Sequence, residues 1–126
     1  MEKKKIAPPD IQSNDFYSPA IQYGNTLYVA GQVGEDENGN APSDIKAQTE
    51  LAILNAKKIM EAAGGSLEQV LMCQCFLQRE EDFPGMNEAY AKFFCGGERI
   101  PPARYTVAAP PLDKKYLIEI SMIVGL

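Results

Sequence analysis

The sequence predicts an α/β fold in which one β-sheet carries two helices on a single face, and three observations predict it. Two stretches, residues 43–63 and 82–95, repeat apolar residues at three- and four-residue steps and each runs into a Gly-Gly pair, the pattern of amphipathic helices with glycine stops. The remaining apolar stretches alternate with a period of two, as strands do. One of them, Val70 to Leu77, is nearly apolar on both sides, so its second face calls for a cover that helices on one side do not supply.

The elements follow in order. At 126 residues the chain is long enough for one domain, residues 1–126, around a single core. Residues 1–14 are polar and proline-containing, a lead-in with room for one short edge strand. Ala20 to Tyr23 and Thr26 to Ala30 are β-prone runs joined by Gly24-Asn25, a pair suited to a two-residue hairpin turn. Gly31 then marks either a bulge or a point of close backbone approach. Gly34 to Pro42 is a solvated loop. The first helix opens at Pro42-Ser43-Asp44, with Ser43 as N-cap and Asp44 as a first-turn acid, and presents Ile45, Thr49, Ala52, Ala56, Ile59 and Ala63 to the sheet. Ser66 to Gln69 resembles a one-turn capping box. The second helix follows the N-cap Asp82, accepts Pro84 in its first turn, and aligns Phe83, Asn87, Tyr90, Ala91 and Phe94. Asn87 therefore lies in an aromatic stripe, where its amide serves either local backbone or a site. Pro101-Pro102 leads into a strand from Ala103 to Ala109. Pro110 to Lys114 forms a turn, and Tyr116 to Val124 forms the last strand. Pairing these two strands as an antiparallel hairpin about that turn sets Arg104 opposite Glu119.

Composition removes whole classes of function. No apolar run approaches the ~18 residues that span a bilayer, and the basic N-terminus has no hydrophobic region behind it, so a cytoplasmic protein is expected. The chain has no histidine, which excludes imidazole-based triads and the common zinc spacings; no metal site is expected. Its three cysteines, Cys73, Cys75 and Cys95, fit reduced thiols. A net charge of −5 argues against a nucleic-acid partner.

Arg104 is the residue on which the chemistry turns. Two prolines fix the path into its strand, so the guanidinium is aimed. Paired with Glu119 it reads most simply as a structural ion pair. The sharper alternative is a guanidinium that takes a substrate carboxylate bidentately while the glutamate orients or deprotonates a water beside it, an arrangement suited to a small 2-imino or 2-oxo acid. Tyr17 and Asn87 offer further hydrogen bonds or a wall. Thr106 shares the face of Arg104 but has no base to make it a nucleophile.

Six runs now carry a resemblance: Phe16 to Ala20, Ala30-Gly31-Gln32, Asp44 to Thr49, Met86 to Phe94, Pro101-Pro102-Ala103-Arg104 and Leu117 to Ile120. In order and spacing they resemble the RidA/YjgF family of imine deaminases across nearly the whole chain. The resemblance implies a chorismate-mutase-like (bacillus type) mixed β-sheet with two helices on one face, assembled as a homotrimer around a central barrel with active sites between subunits. It implies hydrolysis of 2-aminoacrylate, its imine tautomer and related imines to 2-oxo acids and ammonia, without a cofactor. Arg104 matches the carboxylate-binding arginine and Glu119 the residue that positions water, while Tyr17, Gly31, Asn87 and Thr106 line the pocket. Three positions depart from the pattern: Ala30 replaces a serine, Pro19 stands where glutamine is frequent, and Thr106 where cysteine is frequent. These bear on substrate range, Ala30 favouring less polar imino acids. The competing functions are a non-catalytic trimer that binds small carboxylates for sensing or interaction, and an endoribonuclease, which the acidic composition disfavours.

Overall fold

In the computed structural model, which describes residues 1–126, the chain forms six strands and two principal helices. In chain order these are β1 (Lys4–Ile6), β2 (Ala20–Tyr23), β3 (Thr26–Val33), α1 (Ile45–Ala62), β4 (Val70–Leu77), α2 (Phe83–Phe94), β5 (Ala103–Ala108) and β6 (Ile118–Gly125). The strands build one mixed sheet in the order β1-β2-β3-β6-β4-β5, and both helices pack on one face of it. Only β4 and β5 run parallel, and α2 is the crossover that a parallel pair requires. No helix is long and apolar enough to cross a membrane.

The β2–β3 hairpin turns at Gly24-Asn25, with Tyr23 paired to Thr26. Gly24 takes φ +60, the value that the first central residue of a tight hairpin turn needs. The lead-in supplies the short edge strand, β1, which pairs with β2. In α1 the buried residues are Gln48, Thr49, Ala52, Ile53, Ala56, Ile59 and Met60; Thr49, Ala52, Ala56 and Ile59 lie on the expected stripe, Ile45 and Ala63 at its ends are only partly buried, and Gln48, Ile53 and Met60 widen it. Its N-cap is Asp44 and not Ser43. Asp44 is the last extended residue, and its Oδ2 accepts a hydrogen bond from the Ala47 amide at 3.0 Å. Asp82 stands at the N-cap position of α2 but does not cap it, because its carboxylate is taken by Nε and Nη2 of Arg79, each at 3.0 Å. Between α1 and β4 the Ser66 amide donates to Gln69 Oε1 at 3.0 Å, as the capping-box pattern anticipates.

The expected β5–β6 hairpin does not form. Strand β6 lies between β3 and β4, whereas β5 forms the edge. The physical reason is burial. Ile118, Ile120, Met122 and Val124 are all fully buried, which requires neighbours on both sides of β6, while β5 has a half-exposed, short ladder that an edge tolerates. Cys73, Cys75 and Leu77 join these residues beneath the helices. The other sheet face is bare. One row across it reads Ile21, Tyr28, Ile123, Met72, Ala103, and Leu71, Tyr105 and Val107 are exposed nearby. Within one chain, therefore, β4 is covered on only one of its two apolar sides.

Candidate functional site

Arg104 lies opposite Cys73 in the parallel β4–β5 ladder, so it shares the face of that buried thiol and points toward the helices. There α2 meets it. Phe83, Asn87 and Tyr90 stand four and three residues apart and so share one side of α2. The Arg104 Cζ lies 4.7 Å from the Tyr90 ring centroid and 5.8 Å from that of Phe83. Asn87, Tyr90, Cys95, Pro101, Pro102 and Arg104 border one open cleft at this edge of the sheet.

The electrostatics of this cleft are one-sided. Arg104 forms no ion pair with any carboxylate of the chain, although it is half-buried. Its polar neighbours are neutral. Burial pushes the Cys73 thiol up to about 12 and the Cys75 thiol up to about 11, with Arg104 only partly offsetting the rise. Burial likewise raises the Tyr90 phenol. A half-buried guanidinium among neutral groups is a site for an anion from outside. The Asn87 side chain, half-buried, borders the cleft and has no hydrogen bond to local backbone. Thr106 has a buried, unpartnered Oγ1 but borders a neighbouring hollow with Leu77 and Phe83, not the cleft itself.

Glu119 belongs to the opposite face. Its ladder partners are Val33 on β3 and Phe76 on β4. The β3–β6 register breaks between Val29 and Gln32, so Gly31 sits in a bulge, and it is also a place of close approach. A Cβ built on Gly31 would stand 2.8 Å from Glu119 Oε1 and 2.9 Å from its Cδ. Both readings of that glycine are therefore correct. Tyr17, Gly31, Glu35, Asn55, Tyr116 and Glu119 line a cavity of about 310 Å³, with Tyr17 half-exposed at its rim. Like Arg104, Glu119 has no partner of opposite charge in the chain.

Two supports of this cavity escaped the sequence reading. The fully buried Gln48 donates to the carbonyls of Pro42 at 2.7 Å and Lys115 at 2.8 Å, and accepts from the Leu117 amide at 2.8 Å. It thereby ties α1 to the start of β6, two residues before Glu119. The Tyr116 hydroxyl donates to Glu35 Oε2, and burial together with that bond raises the phenol above its ordinary value. Gln48 stood on the buried stripe of α1 as a polar residue, a legible signal, but nothing local named its partners.

The structure does not bring Arg104 and Glu119 together within one chain. Arg104 aligns with Cys73, and Glu119 with Phe76, three residues along β4 and two strand spacings from β5. Their Cα atoms are thus separated by roughly 14 Å, and an odd offset puts their side chains on opposite faces. This overturns both the register that set them opposite and the structural ion pair built on it. Nor does any group of three or more His, Cys, Asp or Glu converge to hold a metal.

A family model described as endoribonuclease L-PSP matches residues 8–125. A RutC family protein of Sulfurisphaera tokodaii is 45% identical over 109 residues, covering 85% of each chain. A 3-aminoacrylate deaminase RutC of Acinetobacter baylyi is 38% identical over 85% of this chain and 84% of its own. A 2-iminobutanoate/2-iminopropanoate deaminase of Dermatophagoides farinae is 34% identical over 86% of this chain and 84% of its own. Among solved structures, a Rid-family protein of Yersinia pestis superposes with a TM-score of 0.90 at 28% identity, covering 99% of this chain and 100% of the other.

Proposed function

The chain belongs to the RidA/YjgF family, and on that premise we propose that it is a deaminase that hydrolyses small 2-imino acids and their enamine tautomers to 2-oxo acids and ammonia. The observation that carries this reading is the pair of uncompensated charges: a half-buried guanidinium without an anion, and a carboxylate without a cation. Arg104 takes the substrate carboxylate bidentately and Asn87 flanks it. Glu119 accepts a proton from water as the water oxygen attacks the imine carbon. The resulting carbinolamine loses its C–N bond once nitrogen has received a proton, giving ammonia and the C=O of the oxo acid. An imine is already electrophilic, so orientation, a held water and charge neutralisation meet the chemical demand.

Because Arg104 and Glu119 diverge within one chain, the proposal requires assembly. In a homotrimer the Arg104 cleft of one subunit would abut the Glu119 cavity of the next, and the bare apolar sheet face would be covered. The exposed Tyr28, Leu71, Tyr105 and Val107 support such a contact. An RNA substrate finds no support in a net charge of −5 or in a chain without histidine. Ala30, beside Gly31, offers no hydroxyl to a substrate side chain, in keeping with less polar imino acids.

The test is oxo-acid release from an imine generated in situ by a pyridoxal-phosphate dehydratase acting on threonine. Wild type should accelerate release, and Arg104→Ala or Glu119→Gln should each lower the rate roughly 100-fold or more at unchanged thermal stability. Equal rates with and without wild-type protein would sink the deaminase reading in favour of a carboxylate-binding module.

A further inference from the structure

We propose that Phe83 and Tyr90 are positioning residues whose ring faces set the bearing of the Arg104 guanidinium, presenting its N–H edge to the cleft before substrate arrives. The inference rests on the reading of Arg104 as the carboxylate-binding residue and adds the device that orients it. An unrestrained arginine loses much rotamer freedom on binding an anion. The familiar restraint is a neighbouring carboxylate, which would compete with the substrate for the same donors. This chain places no carboxylate there. It places two rings instead, at 4.7 and 5.8 Å from Cζ. A ring attracts the flat face of a guanidinium and leaves the in-plane N–H groups free for a carboxylate.

Both rings are themselves held. Tyr90 is 4% exposed and stacks at a tilt on Phe94, with centroids 4.7 Å apart. Phe83 opens α2 immediately after Asp82, which the two bonds from Arg79 clamp. The Tyr90 hydroxyl is buried beside the Cys73 thiol, and the ring face is what meets Arg104.

The experiment measures imine hydrolysis and, separately, calorimetric binding of 2-oxobutanoate, for wild type, Arg104→Ala, Phe83→Leu, Tyr90→Leu and Tyr90→Phe. Phe83→Leu and Tyr90→Leu should raise KM and the 2-oxobutanoate Kd together by roughly 3- to 10-fold with little change in kcat. Tyr90→Phe, which keeps the ring, should restore wild-type values. In the unliganded protein the order parameter of the Arg104 Nε–H should fall in Phe83→Leu, and an unchanged value in the folded variant would count against the positioning role. Phe83 is 41% exposed, so its variant tests the idea even where Tyr90→Leu fails to fold. Wild-type KM and Kd in a folded Phe83→Leu would overturn the inference, as would Tyr90→Phe proving as damaging as Tyr90→Leu. If wild type hydrolyses no imine while 2-oxobutanoate binding still depends on Arg104 and both rings, the deaminase reading falls and the positioning stands. If Arg104→Ala binds 2-oxobutanoate as tightly as wild type, the positioning falls with the carboxylate role.

Discussion

Gly31 shows how narrow the tolerances of the Glu119 cavity are. Its backbone lies outside the left-handed region, so alanine is conformationally allowed there, yet the added methyl would press on the carboxylate end of Glu119 at 2.8 to 3.0 Å. The side chain can yield, but only by moving away from where it holds water. Gly31→Ala should therefore lower kcat by roughly 10- to 100-fold while shifting stability by less than ~1 kcal/mol. Steady-state rates on an in situ imine and a urea melt check both halves. Sequence alone left that glycine as bulge or close approach, because the neighbour that decides the matter is 88 positions further on by the numbering of Gly31 and Glu119. Arg104 and Glu119 were legible as unusual charges in apolar strands. That neither neutralises the other was not, since ion pairing depends on strand order.

At the scale of elements, β4 carries the clearest pH signature. Cys73 and Cys75 are buried as neutral thiols, raised from about 9 to about 12 and about 11 by burial above all. Raised acids in the fold mean that the unfolded chain releases protons first as pH climbs. Their contribution is whole below about pH 9 and falls as pH rises from there through 11 toward 12, by up to ~1.4 kcal/mol per pH unit for each thiol. Urea midpoints at about pH 8 and about pH 10 should show this loss, and Cys73→Ala or Cys75→Ala should flatten the slope even if it lowers the starting stability. The helices and strands themselves were readable from periodicity, since burial of one stripe or one face acts locally. The two capping assignments show the limit. Ser43 and Asp44 are both good caps, and the one that caps is the one whose carboxylate reaches the Ala47 amide. Asp82 occupies the right place but gives its charge to Arg79.

For the whole molecule the proposal is that three chains complete what one leaves open. Ile123→Glu, at the centre of the bare face, should yield a monomer by light scattering and abolish activity; an unaltered trimer mass would count against that face as the interface. Refolding Arg104→Ala together with Glu119→Gln should recover activity from two inactive proteins, with roughly a quarter of the sites intact under random mixing in a ring. No recovery from mixed trimers would count against a site shared between chains. The sequence by itself determined the α/β class, the two helices, the strands and the residues that carry charge into apolar surroundings. These depend on composition and on periods of two and 3.6 residues, which are properties of short stretches. Only the tertiary structure decided that β6 inserts between β3 and β4, that β5 runs parallel at the edge, and hence that Arg104 faces α2 while Glu119 faces the other side. Strand order is chosen by the burial of the entire sheet, a sum over all six strands, and no local pattern contains it.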